Sequence, residues 1–552
     1  MIPSHTKLNE TPVAYGLFPA GDFVVTTGGR AERARRHDCA TNPAISTIPQ
    51  ALWFFRGEVI AVPRPGLPVA GFDPLKLSID DVRAWSATTP PGSARDYPGL
   101  VWLGAPDVLR NARLDVGDDG CERLLTADGP AEFVPAPRLA SNRAFYNADS
   151  AGFFSRRVLH LRGEWRAGVR LPKRFVAHSL WPEGYRLDAA APLQPIAATP
   201  QSLRDFVRNA TQGEAKSAFS TRLVWQRDPA SAGQRAGRPL IGLMLNGAQG
   251  DDDEAHGGHF GLVTGRVGPQ GEMHDWLVAN FYTLDSESEK GIIAAMRPLD
   301  GYLGDVNSGQ AWYRPSYMLV ATLRDERAAA HVSSALGRMF NQFYRNPASY
   351  RHAADNCTGM SVSTLRAIGW NVPKLGATSW LKAIAALPAV AMSTRSLRRG
   401  KASFDYLSED RTRLLPALAF EQAGADLLRI VSGEAKRELT RYEALLANDV
   451  DEILLVRIPQ FPSSRVWGDF PVASVAEYQR RVPKDPAQQQ IIPVDPRPFP
   501  AELKDPSAPK PKPSRSDYAV ATYAVALLAL GGWALHRLLR HKGSRKRGGA
   551  GD

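Results

Sequence analysis

The sequence predicts a mixed α+β body that is β-rich at its N-terminal end, followed by a Pro-rich linker and one C-terminal transmembrane helix. Three observations carry this. Short β-like runs broken by Gly and Pro fill residues 1–195. Strand and helix signals alternate from 200 to 394. An uncharged run, Tyr518 to Leu535, lies near the C-terminal end. At 552 residues the chain exceeds one ordinary core. Its 43% hydrophobic and 22% charged content is that of a globular protein.

The N-terminal domain, 1–195, contains the runs Asp22–Thr27, Leu52–Phe55, Glu58–Val62 and Val158–Leu161, with no sustained 3.6-residue period. It carries no motif, so its aromatics read as core, and His37, His160 and His178 as structural or exposed. In the second domain, 200–394, strands are expected at Pro239–Asn246, His259–Val267, Trp276–Tyr282 and Tyr317–Leu323. A helix follows, because Val332, Leu336, Met339, Phe340 and Phe343 share one face. A second helix starts at Cys357, with Asp355 or Asn356 as its N-cap and Gly369 just past its end. Lys290 to Gly304 reads as a long loop rimming the site. His331 is expected to be exposed. Residues 395–481 read as a mainly helical extension with one strand-like run, Glu452–Val456.

Residues 482–517 hold ten prolines, the composition of a semi-extended linker. The transmembrane helix is placed at 518–539, with Tyr518 and Trp533 near the interfaces, and a basic tail at 540–552. The formal charge of +12 is uneven. From Lys504 onward, ten basic residues against three acidic ones account for +7 of it. No nucleic-acid motif accompanies that charge; the expected partner is the lipid bilayer. The basic tail favours a cytoplasmic C-terminus. The N-terminus lacks a basic region followed by an apolar one, which opposes export of the body. The side of the membrane on which the body lies stays open, as does pairing of Cys39 with Cys121.

Chemistry is expected at Cys357. A cysteine at a helix start meets partial positive charge and outward-pointing N–H groups, which favour the nucleophilic thiolate. His259, 98 residues upstream, is the expected general base. If Gly268-Pro269-Gln270-Gly271 closes a hairpin on its central pair, Asn280 falls opposite His259 and orients the imidazole. His274 is the alternative third polar residue. The Cys357 backbone N–H is the oxyanion donor.

His259-Phe-Gly-Leu-Val-Thr-Gly resembles the histidine box of circularly permuted papain-like proteins, the NlpC-type and lecithin:retinol acyltransferase-like groups. Asn356-Cys357-Thr-Gly-Met-Ser-Val resembles their Asn-Cys box. The stretch Trp312-Tyr313-Arg314 through Tyr317, with Tyr350 and Asn356-Cys357, looks still more like the periplasmic domain found at the N-terminus of Lnb. The resemblance covers roughly 220–375. It implies a permuted papain-like catalytic domain within 200–394 and attack on an amide, ester or thioester carbonyl, with peptides or lipid acyl chains as substrates. Members of these groups often carry a histidine as third polar residue, where this chain offers Asn280.

Two other classes compete. Asp251-Asp-Asp-Glu254, His256 and His259 form a polar cluster that a metal-dependent hydrolase could use. Two glycines within His256-Gly-Gly-His259 disfavour a helical metal motif, and a solvated acidic loop is the simpler reading. A non-catalytic, membrane-anchored binding protein is the other. No cofactor motif is present.

Overall fold

The apolar run Pro239–Asn246 has no polar face before its last residue, and the structure buries it on both sides. The structure is a computed structural model. It describes residues 73, 75–91, 101–105, 107–118, 120–138, 145–188, 193–208, 218–229, 233–247, 258–281, 295–345, 355–463 and 485, together with five strands before residue 64. The expected linker apart from Asp485, the expected transmembrane segment 518–539, the basic tail, Cys39, Asp251–Glu254, His256 and Tyr350 lie outside the described residues.

The early strands are β1 (Leu17–Phe18), β2 (Phe23–Val25), β3 (Ala31–Arg33), β4 (Gln50–Phe55) and β5 (Glu58–Pro63). They are followed by β6 (Val101–Gly104), β7 (Asp107–Val116), β8 (Glu122–Thr126), β9 (Gly129–Pro135), β10 (Val158–Ala167) and β11 (Lys173–Pro182). Next come β12 (Ser220–Gln226), β13 (Pro239–Asn246), β14 (His259–Arg266), β15 (Leu277–Asn280), β16 (Ala295–Pro298), β17 (Ser316–Leu323) and β18 (Val450–Ile458).

Eleven strands form one sheet in the order β1-β4-β5-β6-β16-β15-β14-β13-β17-β18-β12. Strands β7 to β11 close a small barrel in the order β10-β11-β9-β8-β7. The sheet crosses both expected domain boundaries. β4, β5 and β6 extend one side of it, and β18, from the segment after 395, lies between β17 and β12.

Alternation along the central strands explains the layering. Ile241, Leu243, Leu245, Phe260, Leu262 and Leu319 pack into one core with Val332, Leu336, Val362, Leu365 and Phe420 from the helices. Leu240, Met244, Val263, Val278 and Met318 point the other way, into a core shared with Leu159, Leu161, Phe175 and Trp181 of the barrel. The molecule is therefore helices, sheet and barrel in three layers, and barrel and sheet share one core.

Helix Arg327–Arg345 buries Val332, Leu336, Met339 and Phe340. His331 on that helix is buried, not exposed. It stacks on Trp85 (4.8 Å) and Tyr442 (5.6 Å). The expected loop at Lys290 to Gly304 ends instead as β16 followed directly by helix Leu299–Gly304. Among the described residues no helix is long and apolar enough to cross a membrane.

Candidate active site at one end of the sheet

Helix Cys357–Ala367 begins where expected. Asn356 caps it, its Oδ1 accepting from the Gly359 N–H at 2.7 Å, and its Nδ2 donates to the Leu414 carbonyl at 3.2 Å. Cys357 is the first helical residue and is 5% exposed. The positive end of the helix dipole thus lies at the thiol. At the far end Gly369, at φ +98°, turns the chain out of the helix.

His259 is the first residue of β14 and is 1% exposed. It pairs across β13 with Asn246, and Asn246 pairs across β17 with Ser316. Directly paired residues share a face, so these three side chains form a polar row at the end of an otherwise apolar surface. Tyr302, from helix Leu299–Gly304, lies over the row. Its hydroxyl donates to Asn246 Oδ1, and its ring centroid is 6.0 Å from that of His259. Asn246 Nδ2 donates to Ser316 Oγ at 2.7 Å. Arg314 is anchored through Nε to Gln310 Oε1 (2.8 Å) and through Nη1 to the Gly247 carbonyl (3.1 Å).

The helix carrying Cys357 packs against β14, the strand carrying His259. Its inward side chains belong to the helical layer, whereas His259 shares the barrel-side face. Cys357, at the helix tip, is nevertheless within electrostatic reach of the Tyr302 hydroxyl. Tyr302 thus lies beside His259 and is coupled electrostatically to Cys357. Burial raises its hydroxyl pKa well above the ordinary value; the Arg314 charge opposes that rise and the Cys357 thiolate adds to it. Burial, then the Arg314 charge, push His259 down to about 3.

Asn280 is not opposite His259. The Pro269–Gln270 turn forms, with the Gly271 N–H donating to the Gly268 carbonyl at 2.9 Å, but Gly271, at φ +90°, bulges out, so the Gly268 N–H donates to the Glu272 carbonyl at 3.0 Å. A further turn, Trp276 N–H to the Met273 carbonyl at 3.1 Å, adds length to the returning strand. The observed pairs are Val263 with Val278 and Thr264 with Leu277. Continued along the strands, that register sets Asn280 against Gly261 and leaves His259 on the diagonal. The slip is two residues, so Asn280 keeps the face of His259. It is 1% exposed, and neither Nδ2 nor Oδ1 has a hydrogen-bond partner. The expected Asn280 to His259 bond is absent.

His274, the alternative third residue, belongs to another cluster. Its ring centroid is 4.1 Å from that of His160 in β10, and its Nε2 is 3.3 Å from Asp275 Oδ2. His160 Nε2 lies 3.0 Å from Asp300 Oδ2. Arg162 donates to Asp300 at 2.6 Å and to Asp275 at 3.3 Å.

No family model, curated protein or solved structure matches the chain. Among the described residues no group of three or more His, Cys, Asp or Glu side chains is arranged to hold a metal ion. The sequence points to Cys357 and His259 and gives no role to Tyr302, Asn246, Ser316 or Arg314. Asn246 carried one signal, a polar residue ending an apolar strand. Tyr302 carried none.

Proposed function

We propose that the chain is a membrane-anchored thiol hydrolase or acyltransferase with a circularly permuted papain-like catalytic unit. Cys357 is the nucleophile and His259 the proton acceptor. The Cys357 thiol gives its proton to His259, and the resulting thiolate adds to an amide, ester or thioester carbonyl carbon. His259 returns that proton to the departing amine, alkoxide or thiolate as the bond to the carbonyl breaks. Water or a second acceptor then releases the acyl group from sulfur.

The observation that supports this most is the coupling of Tyr302 to both groups. Tyr302 lies against His259 and within electrostatic reach of Cys357, which itself occupies the first position of a capped helix. At neutral pH His259 is the free base, the form able to accept a proton. Arg314, whose charge acts on both Tyr302 and His259, is placed to favour negative charge on sulfur or on the carbonyl oxygen. The carboxamide of Asn280, with donor and acceptor both unused, is left for substrate. The C-terminal anchor makes lipid or cell-envelope substrates attractive.

A non-catalytic binding protein is the second reading, favoured by the burial of both Cys357 and His259. Iodoacetamide alkylation of Cys357 across pH separates the two. The enzyme reading expects an apparent thiol pKa well below ~8.5, the free-thiol reference. A value at or above that reference overturns it.

A further inference from the structure

Helix Trp380–Thr394 turns an apolar face outward. Leu381, Ile384, Ala385, Pro388, Ala389 and Met392 recur at helical spacing, and all are exposed, Leu381 at 83% and Met392 at 74%. The opposite face packs on helix Leu397–Ser408. There Gly400 allows the close approach, since a Cβ on it would meet the Leu387 carbonyl oxygen at 2.5 Å. Leu397, 75% exposed, and Trp380, 60% exposed, add to the apolar surface. Cations border it. Lys382, Arg395, Arg398 and Arg399 are all exposed, and the acidic residues of the hairpin, Asp405, Glu409 and Asp410, sit toward its root. Arg395, at φ 51°, forms the tight connection between the helices.

We propose that this hairpin lies on an anionic lipid surface. An apolar helical stripe bordered by basic residues is the pattern of a helix that rests in the plane of a bilayer interface. Fifteen residues are too few to span the hydrocarbon core, so the helix lies on the bilayer and does not cross it. The sequence itself supplies the reason a bilayer is near. The uncharged run Tyr518 to Leu535 follows the described body after a Pro-rich stretch, and a linker of that kind leaves the body free to touch down. The hairpin root reaches the candidate active site. Arg366 of the Cys357 helix bonds Asp410 at 2.9 Å, and Asn356 bonds Leu414 four residues on. Docking would hold the Cys357 end of the molecule at the membrane. The proposal needs no chemistry at Cys357 and stands whether or not that residue is catalytic.

The test uses the full chain reconstituted with vesicles. A benzophenone amino acid replaces Leu381 or Met392, and for comparison Val169, a barrel-loop residue that is 79% exposed. After irradiation, adducts are read by mass spectrometry. In phosphatidylcholine vesicles containing phosphatidylglycerol, positions 381 and 392 should yield lipid adducts and position 169 should not. Arg398→Gln or Arg399→Gln should lower that yield by up to about fivefold each, since one interfacial cation contributes on the order of 1 kcal/mol. High salt applied to the unsubstituted hairpin should lower it similarly. Adducts to a second copy of the chain, or equal lipid yields at 381 and 169, overturn the proposal.

Discussion

Two buried polar clusters lie on the barrel side of the sheet, joined by one short helix, and they handle burial differently, although burial lowers a histidine in each, His160 and His259. Asp300 of helix Leu299–Gly304 serves the cluster of His160, Arg162, His274 and Asp275, and Tyr302, two residues on, serves the row of His259, Asn246 and Ser316. In the first cluster charges meet counter-charges. Burial would lower His274, but the Asp275 bond and the Asp300 charge outweigh it and the pKa rises. Burial would raise Asp300, but Arg162 and His160 hold it low. In the second cluster burial, aided by the Arg314 charge, drives His259 to about 3. The first arrangement repays the desolvation of its ions internally, as a structural network does. The second holds a neutral imidazole and an unpartnered carboxamide, which contribute little to stability and make sense as groups kept for a ligand.

The comparison can be broken at several points. The largest effect is expected for Cys357→Ala, which should abolish turnover of any substrate the parent consumes; persistent turnover would move the chemistry elsewhere. His259→Ala should slow that turnover by about 10²–10⁴-fold, the usual contribution of a general base. Asp300→Ala should act on stability instead. Leaving Arg162 buried without its main partner should cost about 3–5 kcal/mol in urea unfolding. A loss below 1 kcal/mol would show that water already compensates this cluster.

Asn280→Leu sharpens the contrast. Removing a buried carboxamide with no partner should leave stability equal or higher, by about 1 kcal/mol, in a thermal melt. A marked drop would mean that Asn280 is held by bonds the static arrangement lacks. The smallest effect concerns pH. His259 and His331 titrate at about 3 and about 4 when folded, against ~6.5 unfolded. The unfolded chain binds more protons in between, so stability should fall as pH drops below ~6.5 and go on falling toward those lower values. His331→Leu should make this acid slope shallower by about one proton. An unchanged slope would show that His331 titrates normally.

Much of the local structure was legible in the sequence, and the long-range arrangement was not. The strands β13, β14 and β17 and the Cys357 helix with its Asn356 cap follow from apolar runs, capping chemistry and a C-terminal glycine. The β14–β15 register differs from the expected one because a bulge at Gly271 and a second turn at Met273–Trp276 follow the expected Pro269–Gln270 turn, and the turn residues themselves signal neither. The joining of barrel and sheet into one core, and the insertion of β18 between β17 and β12, depend on contacts between distant segments that no local period records. For the same reason His160 reads as structural or exposed and His331 as exposed. Their burial is set by Asp300, Trp85 and Tyr442, each remote in sequence.

The central claim is that the Cys357 sulfur and the His259 imidazole share one space beside Tyr302. Treatment of the native protein with 1,3-dibromoacetone, whose two alkylating carbons are separated by a single carbonyl, tests it directly. Peptide mapping should recover the Cys357 and His259 peptides joined through the three-carbon bridge. Alkylation of Cys357 with His259 left unmodified would contradict the account.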